Sequence, residues 1–119
     1  MPRTVIFYRT AEGKCPVEEF LDSLESGAAR KVTWTLKLLE DLPMVPSQFF
    51  KKLAGSDQIW ECRVRFGSNA YRILCFFAGN SIIVLTHGFM KKSQKTPKAE
   101  IQKAESCRRD FLERRKRDE

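Results

Sequence analysis

The stretch IWECRVRFGSNAYRILCFFAGNSIIVLTHGFMKKSQKTP, residues Ile59–Pro97, decides the fold. Gly67-Ser68 and Gly79-Asn80 are hairpin dipeptides between three runs rich in Val, Ile, Phe, Tyr and Trp. They predict a three-stranded antiparallel meander that runs into a basic segment opening a helix. With two-residue loops, Val64 faces Tyr71 and Arg63 faces Arg72. By the same rule Phe76 faces Ile83 and Arg72 faces His87. Side chains alternate between the two faces of a strand. One face then carries Trp60, Cys62, Val64, Phe66, Tyr71, Ile73, Cys75, Phe77, Ile82 and Val84, with Thr86 its main polar member. The opposite face is divided. Ile59, Leu74, Phe76, Ile83 and Leu85 form an apolar half, and Arg63, Arg65, Arg72 and His87 gather at the other end. Arg63, Arg72 and His87 should stand in a row across three strands. Like charges set side by side destabilise a sheet, so such a row calls for an anion, and Glu61 on the same face neutralises only one cation. Slipping the register by one residue would exchange the two faces.

The rest of the chain flanks this meander. Thr4–Tyr8 reads as a first strand that joins an edge of the sheet. Cys15-Pro16 opens a helix with Val17, Phe20, Leu21 and Leu24 at helical spacing, and Gly27 stops it. A second helix from about Ala28 to Leu42 turns Val32, Leu36 and Leu39 inward, and Pro43 and Pro46 close the helical hairpin. Ser47–Asp57 is an irregular connection carrying Lys51 and Lys52. Thr96-Pro97 predicts a helix entry, a capping hydroxyl followed by Pro at the first helical position. Ile101, Ala104, Phe111 and Leu112 form the stripe of that last helix, which should lie on the apolar half of the divided face and fray after Leu112. The fold class is α+β in the order β-α-α-β-β-β-α. It is a twisted, mainly antiparallel sheet with an N-terminal helical hairpin and a C-terminal helix, in one domain over residues 1–119.

At 119 residues the chain has room for one modest core, and 42% apolar content suits a globular protein. No apolar run is long enough for a membrane span, and the start MPRTVIFYRT is too short and polar for a secretory signal, so a cytoplasmic location is expected. Cys15, Cys62, Cys75 and Cys107 have no CxxC spacing and read as buried thiols. With a lone His and no acidic cluster, neither a metal site nor a cofactor is expected. The net charge is +7. Met90–Lys98 carries four lysines and no acid, and Arg108–Arg117 carries five arginines and a lysine against two acids. That balance favours phosphate-rich partners or an acidic protein.

Arg63, Arg65, Arg72, His87, Lys91 and Lys92 therefore converge at one end of the sheet, with chemistry suited to a phosphate backbone. In combination these residues resemble the RelE/ParE toxin superfamily, closest to its HigB-like, phage-derived branch. The resemblance rests on Lys52-Leu53, Gly55, Ile59-Trp60-Glu61 with Arg63, Tyr71-Arg72, His87-Gly88-Phe89, Lys91-Lys92, Lys95-Thr96-Pro97 and Ala104. Cys62 and Ser93 depart from places often held by Leu and Thr, without removing a charge. The resemblance implies a RelE-like fold and a type II toxin, a small RNase that cuts mRNA in the ribosome. Its implied partners are a cognate helix-turn-helix, HigA-like antitoxin, the ribosome and mRNA, with operator DNA reached only through the antitoxin complex.

RNA supplies its own nucleophile, the ribose 2′-OH, whose attack yields a 2′,3′-cyclic phosphate without a metal. Arg63 and Arg72 are the candidates for stabilising transition-state charge. His87 is the candidate general base or acid, and Lys91 and Lys92 hold phosphates or donate a proton. Phe89 could stack on a base. Arg65, Lys51, Lys52 and Lys95 are candidate RNA contacts, and Glu61 is a candidate to orient an arginine, with a role as base the alternative. Two other readings keep the same surface. A ParE-like gyrase inhibitor would share the fold and leave RNA intact, and a plain basic nucleic-acid-binding protein would bind in a salt-dependent way without toxicity.

Overall fold

The computed structural model describes residues 2–118. Its centre is the meander: β3 (Trp60–Phe66), β4 (Asn69–Phe77) and β5 (Ile82–Met90). β1 (Thr4–Phe7) lies parallel to β5 at one edge, and β2 (Phe50–Lys52) lies antiparallel to β3 at the other. The five-stranded order is β1-β5-β4-β3-β2. The segment expected to be an irregular connection thus contains an edge strand. Only Phe50 of β2 is buried, while Lys51 and Lys52 face solvent, so its sequence lacks an apolar run that would mark a strand.

The helices clothe both faces. On one face α1 (Pro16–Asp22) lies over β5 and α2 (Ser26–Asp41) over β3. Val17, Val32, Leu36 and Leu39 meet Cys62, Val64, Tyr71, Ile73 and Cys75 there. Gly27 does not stop the first helix. α1 ends at Asp22, and Gly27 lies in the first turn of α2, where a Cβ would come within 2.5 Å of the Phe66 ring. Close packing against the sheet, rather than helix termination, accounts for this glycine. On the opposite face α3 (Lys98–Arg117) sets Ala104, Cys107 and Phe111 on Ile59, Leu74, Phe76 and Val84. All four cysteines are buried free thiols. The helix continues past Leu112 to Arg117 instead of fraying, because Arg114 bonds Asp110 and the Arg9 carbonyl while Tyr8 donates to Asp110. No described helix is long and apolar enough to cross a membrane.

The first hairpin has the expected register, with Val64 opposite Tyr71 and Arg63 opposite Arg72. The second departs from it twice. Ala78 N–H bonds the Ile82 carbonyl, which makes the loop three residues, Gly79–Ser81. The extra residue moves Ile83 and Leu85 to the hairpin side and Ile82 and Val84 to the α3 side, the reverse of the expectation. A β-bulge then leaves Thr86 as an extra residue in β5, between the pairs Cys75–Leu85 and Leu74–His87. Two odd shifts cancel in parity. His87 therefore shares a face with Arg63 and Arg72 as expected, but it stands opposite Leu74, and Phe89 stands opposite Arg72. The expected Arg63–Arg72–His87 row is corrected to Arg63–Arg72–Phe89.

Gly88 lets α1 approach the sheet: a Cβ there would fall 2.4 Å from the Phe20 ring. Gly88→Val should lower the free energy of unfolding by about 1–3 kcal/mol through overpacking. Urea titration checks this; an unchanged midpoint would show that Phe20 can yield.

Candidate functional site

β3 and β4 bring three ionised side chains together at the end of the sheet that α3 leaves uncovered. Glu61 and Arg63 are two apart on β3 and so share a face, and Arg72 is the cross-strand partner of Arg63. Glu61 is 1% exposed. Its Oε1 lies 2.9 Å from Arg63 Nε and 3.1 Å from Arg72 Nε. Its Oε2 accepts a hydrogen bond from the Thr96 hydroxyl. One carboxylate thus pairs with both guanidiniums and leaves one positive charge uncompensated. Thr96 spends its hydroxyl on Glu61 instead of capping α3, whose N-cap position is taken by Pro97.

Burial alone would raise the Glu61 carboxyl. The Thr96 and Arg63 hydrogen bonds and the fields of Arg72 and Arg63 outweigh it and hold the group below its ordinary range. Burial pulls Arg72 down, aided by Arg63 and Arg65 and opposed by Glu61. Arg72 donates from Nη1 to the Tyr71 carbonyl, and its buried Nε has no aligned hydrogen-bond acceptor despite its proximity to Glu61. Arg63, the less buried of the two guanidiniums, is the one an anionic oxygen can reach.

A cleft of about 780 Å³ opens in front of this cluster. β2 supplies Lys51 and Lys52, β3 supplies Glu61 and Arg63, and the segment before α3 supplies Lys91, Lys95 and Thr96. Lys91 is half-buried, and its backbone N–H bonds the Ala70 carbonyl. Desolvation and then the positive field of Arg72 and Arg63 push its ammonium below the usual lysine range, against the pull of Glu61. Lys92 is exposed and does not line the cleft. Arg65 is exposed on a second cleft, which Arg63 and Arg72 also line.

Residues 19–109 match the family model described as Phage derived protein Gp49-like (DUF891). The chain belongs to the Gp49-like family. This is a RelE/HigB-type toxin family, associated with toxin–antitoxin pairs, and it implies an antitoxin partner. No curated protein matches the chain.

In this Gp49-like chain His87 lies apart from the cleft, 3% exposed beneath α3. Nε2 is 3.1 Å from Glu100 in the first turn of α3, and Nδ1 is 3.0 Å from the Thr86 hydroxyl. That hydroxyl also lies 3.1 Å from the Leu74 carbonyl, and it has one proton to give. In the neutral ring Nε2–H donates to Glu100 and Nδ1 accepts from Thr86. In the imidazolium both nitrogens donate, and the Thr86 proton turns to Leu74. Phe89 stacks on this imidazole at 5.9 Å between centroids and packs with the α3-side core, so its ring is engaged inside the fold.

The sequence thus placed Arg63, Arg72, Lys52, Lys91 and Lys95 near one another, whereas His87, Phe89 and Lys92 are set apart from the cleft. It missed the double role of Glu61. The readable signal was an acid and a base alternating on one strand, Glu61-Cys62-Arg63, with a second arginine across the hairpin.

Two predictions concern this cluster. Glu61→Ala leaves two guanidiniums without their carboxylate and should destabilise the fold by about 3–5 kcal/mol, measured by denaturation; a loss below about 1 kcal/mol would mean that the pairs contribute little. The second concerns pH. Burial holds His87 below its ordinary 6.5, Glu100 opposes this, and Lys103 adds to it. The unfolded chain then takes up a proton that the folded chain resists, so stability should fall as pH drops below about 6.5 and level off beneath the folded value. The lowered Glu61 adds a separate loss that begins as pH falls below about 4.5. His87→Gln should erase the first loss and keep the second. A variant whose acid profile still runs parallel to that of the unmodified protein would assign the titration to another group.

Proposed function

We propose that this chain is a HigB-like toxin acting as an endoribonuclease on mRNA in the ribosome, restrained by a helix-turn-helix antitoxin of the HigA type. Cleavage proceeds by attack of the ribose 2′-OH on the adjacent phosphate and gives a 2′,3′-cyclic phosphate and a 5′-OH. RNA brings its own nucleophile, so the protein need only orient it, neutralise the phosphorane and move protons. The observation that supports this reading is the pair of guanidiniums held on one buried carboxylate at the mouth of a lysine-lined cleft.

Glu61 fixes Arg63 and Arg72 before substrate arrives, and preorganised donors of this kind stabilise charge that develops in a transition state. Arg63 and Arg72 are assigned to the phosphorane oxygens. Lys52 and Lys95, with Lys51, hold the flanking phosphates, and Lys92 and Arg65 extend the basic surface towards ribosomal RNA. Lys91, lowered by desolvation and then by Arg72 and Arg63, is assigned the proton delivered to the leaving 5′ oxygen, while the 2′-OH proton passes to solvent water, from which Lys91 is reprotonated. His87 is given a supporting part: both of its ring nitrogens are engaged, and with Phe89 it anchors the start of α3, and so Thr96, beside the cleft. The cytoplasm, where the ribosome and mRNA lie, is the site of action.

The test is cleavage of mRNA in a reconstituted translation system. Arg63→Ala should reduce the single-turnover rate by about 10²–10³-fold. Lys91→Arg keeps the charge but removes a transferable proton, and should cost about 10²–10⁴-fold. The rate should fall as pH rises through the lowered Lys91 value, below the ordinary 10.5. A 2′-deoxy substitution at the cut position should stop the reaction. Arg63→Ala and Lys91→Arg both cutting at the normal rate would refute the assignment, and gyrase-dependent linear DNA with intact mRNA would show a gyrase poison instead.

A further inference from the structure

The second cleft, about 540 Å³, shares Arg63 with the first. α2 contributes Lys31 and Trp34, the segment before β2 contributes Gln48 and Phe49, and Arg63, Arg65 and Arg72 complete it. No carboxylate is among the lining residues. Trp34 is 50% exposed, a costly place for the largest apolar side chain, and α2 has buried faces available nearby. Its ring is held edge-to-face against Phe49 at 6.0 Å between centroids, and the Lys31 ammonium sits 5.3 Å from the ring centre. The indole is therefore positioned rather than loose. Arg63 lines both clefts and so links them through one guanidinium.

We propose that this second cleft is a subsite for the same RNA strand, with Trp34 as the stacking platform for an unpaired base and Lys31 and Arg65 as contacts to its phosphates. The inference rests on the nuclease reading of the first cleft. A base offers a π-face to the indole whatever its identity, so the subsite lengthens the bound strand without choosing a sequence. Cations with an interleaved aromatic suit a single strand better than a duplex, whose bases are already stacked.

Binding of fluorescein-labelled 2′-O-methyl oligonucleotides, which cannot be cleaved, tests this by anisotropy. Trp34→Ala should weaken an octanucleotide about tenfold, and Trp34→Phe should restore most of the loss. A trinucleotide, long enough for the first cleft alone, should bind both variants alike. Arg65→Ala should weaken the octanucleotide and reduce the slope of log affinity against log salt by about one. With Trp60→Phe as background, emission from Trp34 should be quenched by the octanucleotide and not by the trinucleotide. If the unmodified protein cleaves mRNA while Trp34→Ala binds the octanucleotide normally, the subsite is overturned and the nuclease reading stands. If the unmodified protein neither cleaves nor binds RNA, the nuclease reading fails first. If Trp34→Ala loses antitoxin affinity and keeps octanucleotide affinity, the cleft is a protein-docking face and the proposal is wrong.

Discussion

A single buried carboxylate organises the basic end of this molecule. Two guanidiniums directly across a hairpin would repel each other, and one of them is buried. The sheet tolerates them because Glu61 Oε1 lies within 3.1 Å of both. The same carboxylate, through Oε2, holds Thr96 and with it the chain entering α3. Charge compensation and the path of the backbone are thus one interaction. The arginines are stiffened without being saturated, since Glu61 offers two oxygens to three groups and leaves Arg72 Nε without an aligned acceptor.

The division of the α3-side face follows from the same economy. Ile59, Leu74, Phe76 and Val84 attract the helix over their half. The charged half stays open because covering it would desolvate cations that outnumber the two acids beside them, Glu61 and Glu105. The boundary is marked by His87, whose imidazole ties β5 to Glu100 at the start of α3. Burial thereby removes from the open surface the one side chain whose ordinary titration range lies nearest neutrality.

Particular residues show why some of this was legible and some was not. Gly67-Ser68 set the first hairpin, because a two-residue loop with Gly67 at φ 62° matches the twist of the strands. Gly79-Asn80 looks equivalent, yet the loop includes Ser81, and glycine at positive φ serves both lengths equally well. Thr86 carries no mark of a bulge; its place follows from fitting the strand to both its neighbours. Strand β2 was hidden because an edge strand of three residues with two exposed lysines has no pattern of its own. The C-terminal turns of α3 read as a charged tail, and the approach of Tyr8 and Arg9 from the far end of the chain to Asp110 and Arg114 holds them in place.

Taken alone, the sequence determined the meander, the helical hairpin, the core-facing sides of β3 and β4, and the gathering of Arg63, Arg72 and Lys91 at one end. These follow from local alternation and turn chemistry, which act over a few residues. The tertiary structure decided the partners of the polar groups around the cleft. Glu61 serving two arginines, Thr96 leaving its cap, His87 withdrawing under α3 and Arg63 joining two clefts all depend on which distant segments meet. Hydrogen-bond geometry and burial select among the many pairings that composition permits, and those act only once the chain has closed on itself.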